Sequence, residues 1–279
     1  MEIKLNYYIA SFSGGKDSTA MVLELIKRQE PLDEVLFCDT YKEFPAMYKH
    51  ISKVKRIVEE TGIKFTELRN PESFDYLMFE HRPKRRKDKL EGLKGYSWPD
   101  VLSRWCTKAL KVNIINRYIS ELSKKCNVFQ YIGLAADELN RLEKKGNKLK
   151  NFIHPLVIWG WDEQKCLNYC YDNGFSWDGL YKLFKRVSCW CCPLQALKEL
   201  RNLRTYFPEL WSELLDMDSR TWRKFRPDYS VKQLEIRFQL EEERVKEGLC
   251  INPKKVEFRE ALKERLTDYE TAKRLWKRE

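Results

Sequence analysis

No run of eighteen apolar residues occurs in the 279-residue chain, so a membrane-spanning helix is not expected. The opening Met1-Glu2-Ile3-Lys4-Leu5 leads into a strand-like run and carries neither the apolar core nor the cleavage site of a secretory signal. A cytoplasmic location is therefore expected. Internal repeats and low-complexity tracts are also lacking, which excludes repeat architectures. Acidic residues are fewer than basic ones, 42 against 53, and the net charge of +11 suits an anionic partner such as a nucleotide or nucleic acid. What is plentiful is cysteine. Nine are present, an odd number that cannot pair completely. In reducing surroundings, grouped cysteines point to metal or redox chemistry before disulfides.

The densest local signal is Ser13-Gly14-Gly15-Lys16-Asp17-Ser18. It follows the apolar run Tyr7–Phe12, read as a buried strand. It precedes Thr19–Arg28, where Met21, Val22, Leu25 and Ile26 share one helical face. Glycine at such a turn permits positive φ and lets backbone N–H groups approach an anion. The helix N-terminus and Lys16 add positive charge, so the turn suits a polyphosphate. It is not a Walker A loop, because Ala10 stands where that pattern needs glycine and Asp17 where it needs serine or threonine.

Strands are expected at Glu34–Phe37, Lys64–Leu68 and Val128–Gly133 as well. Helices are expected over Met47–Glu60, Thr107–Ser123 and Trp161–Asn173, with Gly62 and Gly174 as terminators. Alternation of this kind predicts an α/β fold, a doubly wound parallel sheet covered on both faces. Phe74–Leu102 reads as irregular, and within it His81-Arg82-Pro83-Lys84-Arg85-Arg86-Lys87-Asp88-Lys89 is either solvated surface or a phosphate-gripping lid. Beyond Pro193 no strand signal remains, and Trp211, Trp222, Phe225, Phe238 and Trp276 recur among charged residues. Two parts are expected, a nucleotide-binding domain over 1–195 and a basic, aromatic helical region over 196–279.

Ser13 to Ser18 resembles the Ser-x-Gly-Gly-x-Asp-Ser signature of the PP-loop ATP pyrophosphatases, and further segments are similar to the phosphoadenylyl-sulfate (PAPS) reductase-like branch. These are Cys38-Asp39-Thr40-Tyr41-Lys42-Glu43-Phe44-Pro45, Arg104-Trp105-Cys106-Thr107 with Leu110-Lys111, Gly133 to Arg141, His154-Pro155-Leu156, and Cys189-Trp190-Cys191-Cys192-Pro193. The resemblance covers roughly residues 5 to 200 and implies an adenine nucleotide alpha hydrolase-like sheet. It implies ATP or a related adenylyl nucleotide bound by Ser13, Gly14, Gly15, Lys16, Asp17, Ser18, Asp39, Thr40 and Gly133. Catalysis would rest on Lys16, Asp17 and Ser18, with Mg²⁺ held by Asp17. Arg104, Lys108, Glu138 and Arg141 are the implied substrate contacts; Glu138 reads equally as a salt-bridge partner.

Cys189-x-x-Cys192 can hold one metal or cluster. The resemblance adds Cys106 and implies a [4Fe–4S] cluster near the DNA-phosphorothioation and thiolation members, with Cys191, Cys170 or Cys250 as a fourth ligand or none. Structural Zn²⁺ and buried reduced cysteine are the other readings. Cys38, Cys126 and Cys166 read as core. Ala135 replaces an arginine of the reductase pattern, and Cys250 lacks the surroundings of its terminal nucleophile. The implied activity is therefore adenylation of a nucleic-acid or other anionic acceptor for sulfur transfer, supplied by a donor such as a cysteine desulfurase. A reductase with an atypical cysteine and a non-catalytic nucleotide-binding regulatory module are the alternatives.

Overall fold

The computed structural model describes residues 4–84, 90–143 and 150–276. Five strands form one wholly parallel sheet in the order β3-β2-β1-β4-β5, with β1 Asn6–Phe12, β2 Glu34–Asp39, β3 Lys64–Arg69, β4 Asn127–Ile132 and β5 Phe152–Ile153. The expected α/β class is present. The two-residue β5 was not legible, being too short for any period. Strand β2 is buried along its whole length, as a strand covered on both faces must be. Its buried first residue, Glu34, is satisfied by the hydroxyls of Tyr7 (3.2 Å), Tyr118 (2.7 Å) and Thr66 and by Lys64 (3.0 Å).

Helix α1 spans Lys16–Lys27, so the Lys-Asp-Ser of the turn is its first turn, with Asp17 favourably placed against the helix dipole. Helix α2 spans Pro45–Glu60; its proline sits where a missing N–H costs nothing, and Met47, Ile51, Val54 and Val58 face inward. The helix expected over Thr107–Ser123 arrives in pieces: a turn at Trp105–Thr107, a wide π-type turn over Lys108–Val112, then Asn113–Leu122. The helix Glu163–Asp172 is capped by Asp162, whose carboxylate accepts from Lys165 N–H at 2.7 Å.

The chain divides into two compact units. The first comprises residues up to Glu80 together with Leu102–Cys192 and contains the sheet; the second comprises His81–Val101 and the chain from Pro193 onward. The segment 81–101, read from the sequence only as part of an irregular stretch, belongs to the second unit. Within the second unit it supplies Trp98, fully buried, whose Nε1 donates to Asp218 at 2.9 Å and whose ring meets Phe225 edge-on at 4.8 Å. Ser97 Oγ accepts from Arg223 N–H (3.0 Å), and Arg223 pairs with Asp100 (2.6 Å). Arg85 to Lys89 of the basic run lie outside the described residues.

The rest of the second unit is helical: Leu197–Tyr206, Pro208–Ser219, Val231–Lys246 and Val256–Trp276. Its charge is used internally. Glu235 receives Arg204 and the Trp211 Nε1–H, and Glu241 receives both Arg201 and Arg237. No helix among the described residues is long and apolar enough to cross a membrane.

One buried titratable group in the first unit makes a stability prediction. His50 of α2 lies within 2.9 Å of Thr19 Oγ1 and stacks on Trp177 at 4.4 Å between ring centroids. Burial, assisted by the Lys53 charge, pushes its pKa down to about 3. The unfolded chain binds a proton at His50 near pH 6.5 and the folded chain does not. The stability from this group is therefore complete above about pH 6.5 and is lost as pH falls toward 3, by roughly a few kcal/mol in all. Isothermal denaturation between pH 7 and 4 should show that slope, and His50→Gln should flatten it; an unchanged slope would remove His50 as its source.

Candidate active site at the head of the first helix

The glycine-rich turn sits where β1 ends and α1 begins, at the carboxyl edge of the sheet, the usual ligand edge of an open α/β fold. Gly14 takes φ +79°, which an L side chain rarely adopts, and its carbonyl accepts from Trp177 Nε1 at 2.8 Å. Gly133, just past β4, is required for a different reason. A Cβ there would stand 2.9 Å from Ser18 Cα, so only glycine lets the end of β4 press against the first turn of α1.

A cavity of about 420 Å³ opens over this turn, all within the first unit. Ser13, Gly15, Lys16, Asp17 and Ser18 form one wall. Gly133, Glu138, Arg141 and Glu163 form another, with Glu43, Lys111, Tyr181 and the run Lys185–Ser188 completing it. Lys16 Nζ lies 3.1 Å from Asp17 and 2.8 Å from Glu163. Burial works against its charge, but the two carboxylates outweigh burial and hold its pKa above the ordinary lysine value. Asp17 is pushed up by burial, which Lys16 offsets only in part while Glu163 and Glu138 add to it. Glu163, more exposed, is drawn down by its bond to Lys16.

Several expected contacts are placed elsewhere. Asp39 and Thr40 are buried and are not among the residues that line this cavity. Asp39 Oδ1 accepts from Tyr41 N–H (2.8 Å) and Tyr48 OH (3.0 Å), and Oδ2 pairs with Arg69 (3.1 Å). This holds Tyr41 at φ +67° and leaves the carboxylate no free face toward a nucleotide. Gly14 shapes the turn without reaching the cavity surface. Arg104 and Lys108 are exposed and also lie outside the lining. The π-type turn brings Lys111 to the cavity instead, 3.7 Å from the buried Glu43. Glu138 and Arg141 do line it, and they pair with each other. Glu163, Tyr181, Lys111, Lys185 and Arg186 were missed by sequence reasoning. Two of them left a signal: Lys111 stands in the Leu110-Lys111 pair of a quoted motif, and Glu163 is the first acidic residue of a capped helix.

Donor chemistry fits a magnesium ion. Asp17 offers hard oxygen, and Glu138 Oε2 is a buried oxygen of the cavity wall with no hydrogen-bond partner among the described residues.

Ser188, on the cavity wall, leads directly into the cysteine segment. Cys189 lies 3.2 Å from Thr40 Oγ1 and 3.8 Å from Glu43 Oε1, and Trp190 N–H donates to Lys42 C=O at 3.0 Å. Burial, then the charge of Glu43, pushes the Cys189 thiol far up. Burial raises Cys191 and Cys106 too, each also feeling a lysine charge, Lys42 on Cys191 and Lys111 on Cys106. Among the described residues, no three Cys, His, Asp or Glu side chains converge as a formed metal site. The donor set nevertheless fits an iron–sulfur cluster in kind: soft sulfur ligands, partly or fully buried, with Lys42 and Lys111 near enough to offset thiolate charge. Of the other cysteines considered, Cys170 is committed to the back of the loop, its Sγ 3.4 Å from Lys16 C=O. Cys250 belongs to the second unit and is exposed.

Comparison with known proteins adds relatives to this geometry. The chain is 28% identical over 230 residues to an uncharacterized protein of Methanocaldococcus jannaschii, covering 80% of this chain and 42% of that protein. A second uncharacterized protein of the same organism is 27% identical over 220 residues, 77% and 48% respectively. An uncharacterized nin region protein of Escherichia phage lambda is 26% identical over 174 residues, 56% and 59%. The chain thus spans about half the length of the curated relatives it matches. Among solved structures, the U34-tRNA thiolase NcsA from Methanococcus maripaludis, which carries a [4Fe–4S] cluster, matches with 17% identity and a TM-score of 0.39 over 77% of this chain and 69% of that one. The phosphoadenosine phosphosulfate reductase domain model matches residues 7–195, more than half of the chain and the whole of the cavity just described. The chain belongs to that PAPS reductase-like family.

Proposed function

We propose that the protein binds ATP over the Ser13–Ser18 loop and cleaves it between the α and β phosphates to adenylate an acceptor for sulfur transfer. The observation that carries this reading is the shared cavity: Ser13, Gly15, Lys16, Asp17 and Ser18 line it together with Lys185–Ser188, and Cys189 follows Ser188 directly in the chain. Lys16 and the loop N–H groups would take the leaving β and γ phosphates, and Asp17 with Glu138 would hold Mg²⁺. An acceptor oxygen attacking the α-phosphorus displaces pyrophosphate, and charge gathering on the departing oxygens is met by Lys16 and the dipole of α1. Lys111 and Arg141 line the same cavity and suit an anionic acceptor. Cys106, Cys189 and Cys192, with Cys191 as the fourth candidate, would hold a [4Fe–4S] cluster. Held by Cys106, Cys189 and Cys192 alone, such a cluster would keep one iron open to carry sulfur; with Cys191 as a fourth ligand it would not.

Anaerobic purification tests the cysteine assignment. The expected protein is brown, with a broad shoulder near ~400 nm that dithionite bleaches, and Cys192→Ser should lose both iron and absorbance. Full iron retention in that variant would remove Cys192 from the ligand set. In the same preparation, ATP with a nucleic-acid acceptor should yield pyrophosphate and an adenylated acceptor, and free AMP once sulfide is added to displace it. Release of sulfite from adenylyl sulfate without ATP turnover would overturn the reading in favour of a reductase.

A further inference from the structure

Two of the loop's donors, both on Lys16, are already taken by the protein itself. Lys16 Nζ is held by Glu163 at 2.8 Å, closer than either oxygen of Asp17 at 3.1 Å. The Lys16 N–H, at the head of α1 where a phosphate would receive it, donates instead to Tyr181 OH at 2.7 Å. Both acceptors reach in from outside the loop, Glu163 from the first position of its helix and Tyr181 from the segment that continues into Lys185, Arg186 and Cys189. Neither is a chance surface contact. Glu163 N–H is anchored on Asp137 at 3.2 Å, and the Tyr181 ring is fixed edge-on against Trp177 at 4.8 Å. Trp177 in turn donates to Gly14 C=O. A carboxylate on the ammonium and a hydroxyl on the amide reproduce the two contacts that phosphate oxygens would make.

We infer that Glu163 and Tyr181 are internal stand-ins for nucleotide phosphate, which an incoming polyphosphate must displace, and that they set how strong an anion the loop admits. The inference rests on the nucleotide-binding reading of the same loop. A single weakly charged anion gains too little to exchange for both; a polyphosphate engages both places at once. Displacing Tyr181 also frees the segment leading to Cys189, so occupancy of the loop is reported along the chain to the cysteines.

The test is isothermal titration of the full chain with magnesium ATP and, separately, with inorganic pyrophosphate, for wild type, Glu163→Gln and Tyr181→Phe. Both substitutions keep side-chain shape; the first removes the competing negative charge on Lys16 Nζ and the second removes the hydroxyl acceptor on the Lys16 N–H. Each should tighten binding about tenfold, and the double variant more. A gain of affinity cannot arise from a damaged fold, which separates this role from a merely structural one. Unchanged or weakened binding in both variants, with wild type still binding ATP, would overturn the inference and leave the loop assignment standing. Binding of neither ligand by wild type would overturn the loop assignment and the inference with it.

Discussion

Lys16→Ala should weaken ATP binding about 100-fold, as expected for loss of a charge-assisted contact of about 3 kcal/mol, while the protein stays folded. The Nζ is the one full positive charge on the loop itself, and it stands over the cavity between Asp17 and Glu163. Without it, two carboxylates face the phosphate site with no cation between them, so attraction turns to repulsion. The fold tolerates the change because Glu163 keeps about a third of its side chain exposed to solvent, and such a pair contributes little to stability. Titration calorimetry and a thermal melt on one preparation settle both halves. Unchanged affinity would mean that the nucleotide binds elsewhere.

Trp98→Ala should destabilise the second unit by about 3–5 kcal/mol, the cost of emptying a large aromatic site in a core. Trp98 is fully buried, packs on Phe225 and donates to Asp218, whose other oxygen accepts from Val231 N–H at 2.8 Å at the start of the helix Val231–Lys246. The substitution therefore removes packing and leaves a buried acceptor short of a donor. The expected readout is a lower denaturation midpoint with early loss of tryptophan-reported structure, while nucleotide affinity in the first unit is retained. A loss of less than 1 kcal/mol would show that the excursion 81–101 does not belong to this core.

These two residues mark the limits of reading the chain by eye. Lys16 was legible because glycine, lysine, aspartate and serine crowd one strand-to-helix turn, and a phosphate loop needs that chemistry contiguously. The sheet was legible for a similar reason, since β1, β2 and β4 are continuous apolar runs. Trp98 carried no such signal: its neighbours are Ser97 and Pro99, and one buried aromatic has no period. The missed cavity residues failed in another way. Lys111 and Lys108 are three positions apart on what reads as one helix, and only the π-type turn decides which of them reaches the cavity. Glu163 and Tyr181 reach Lys16 across 147 and 165 residues of chain, a meeting set by how the helices lie on the sheet.

The path of the chain between its two units has a consequence for anyone who cuts it. The backbone leaves the first unit at His81, returns at Leu102 and leaves again at Pro193. The helical part after Pro193 is thus not a detachable tail. A fragment beginning there lacks Trp98, Ser97 and Asp100, and a fragment ending there carries those groups with nothing to bury them. During synthesis, Trp98 emerges 120 residues before its partner Asp218. It must wait, unsatisfied, while the sheet is completed by β4 and β5. A workable dissection would replace 81–101 by a short linker in the first unit and graft that segment onto the second.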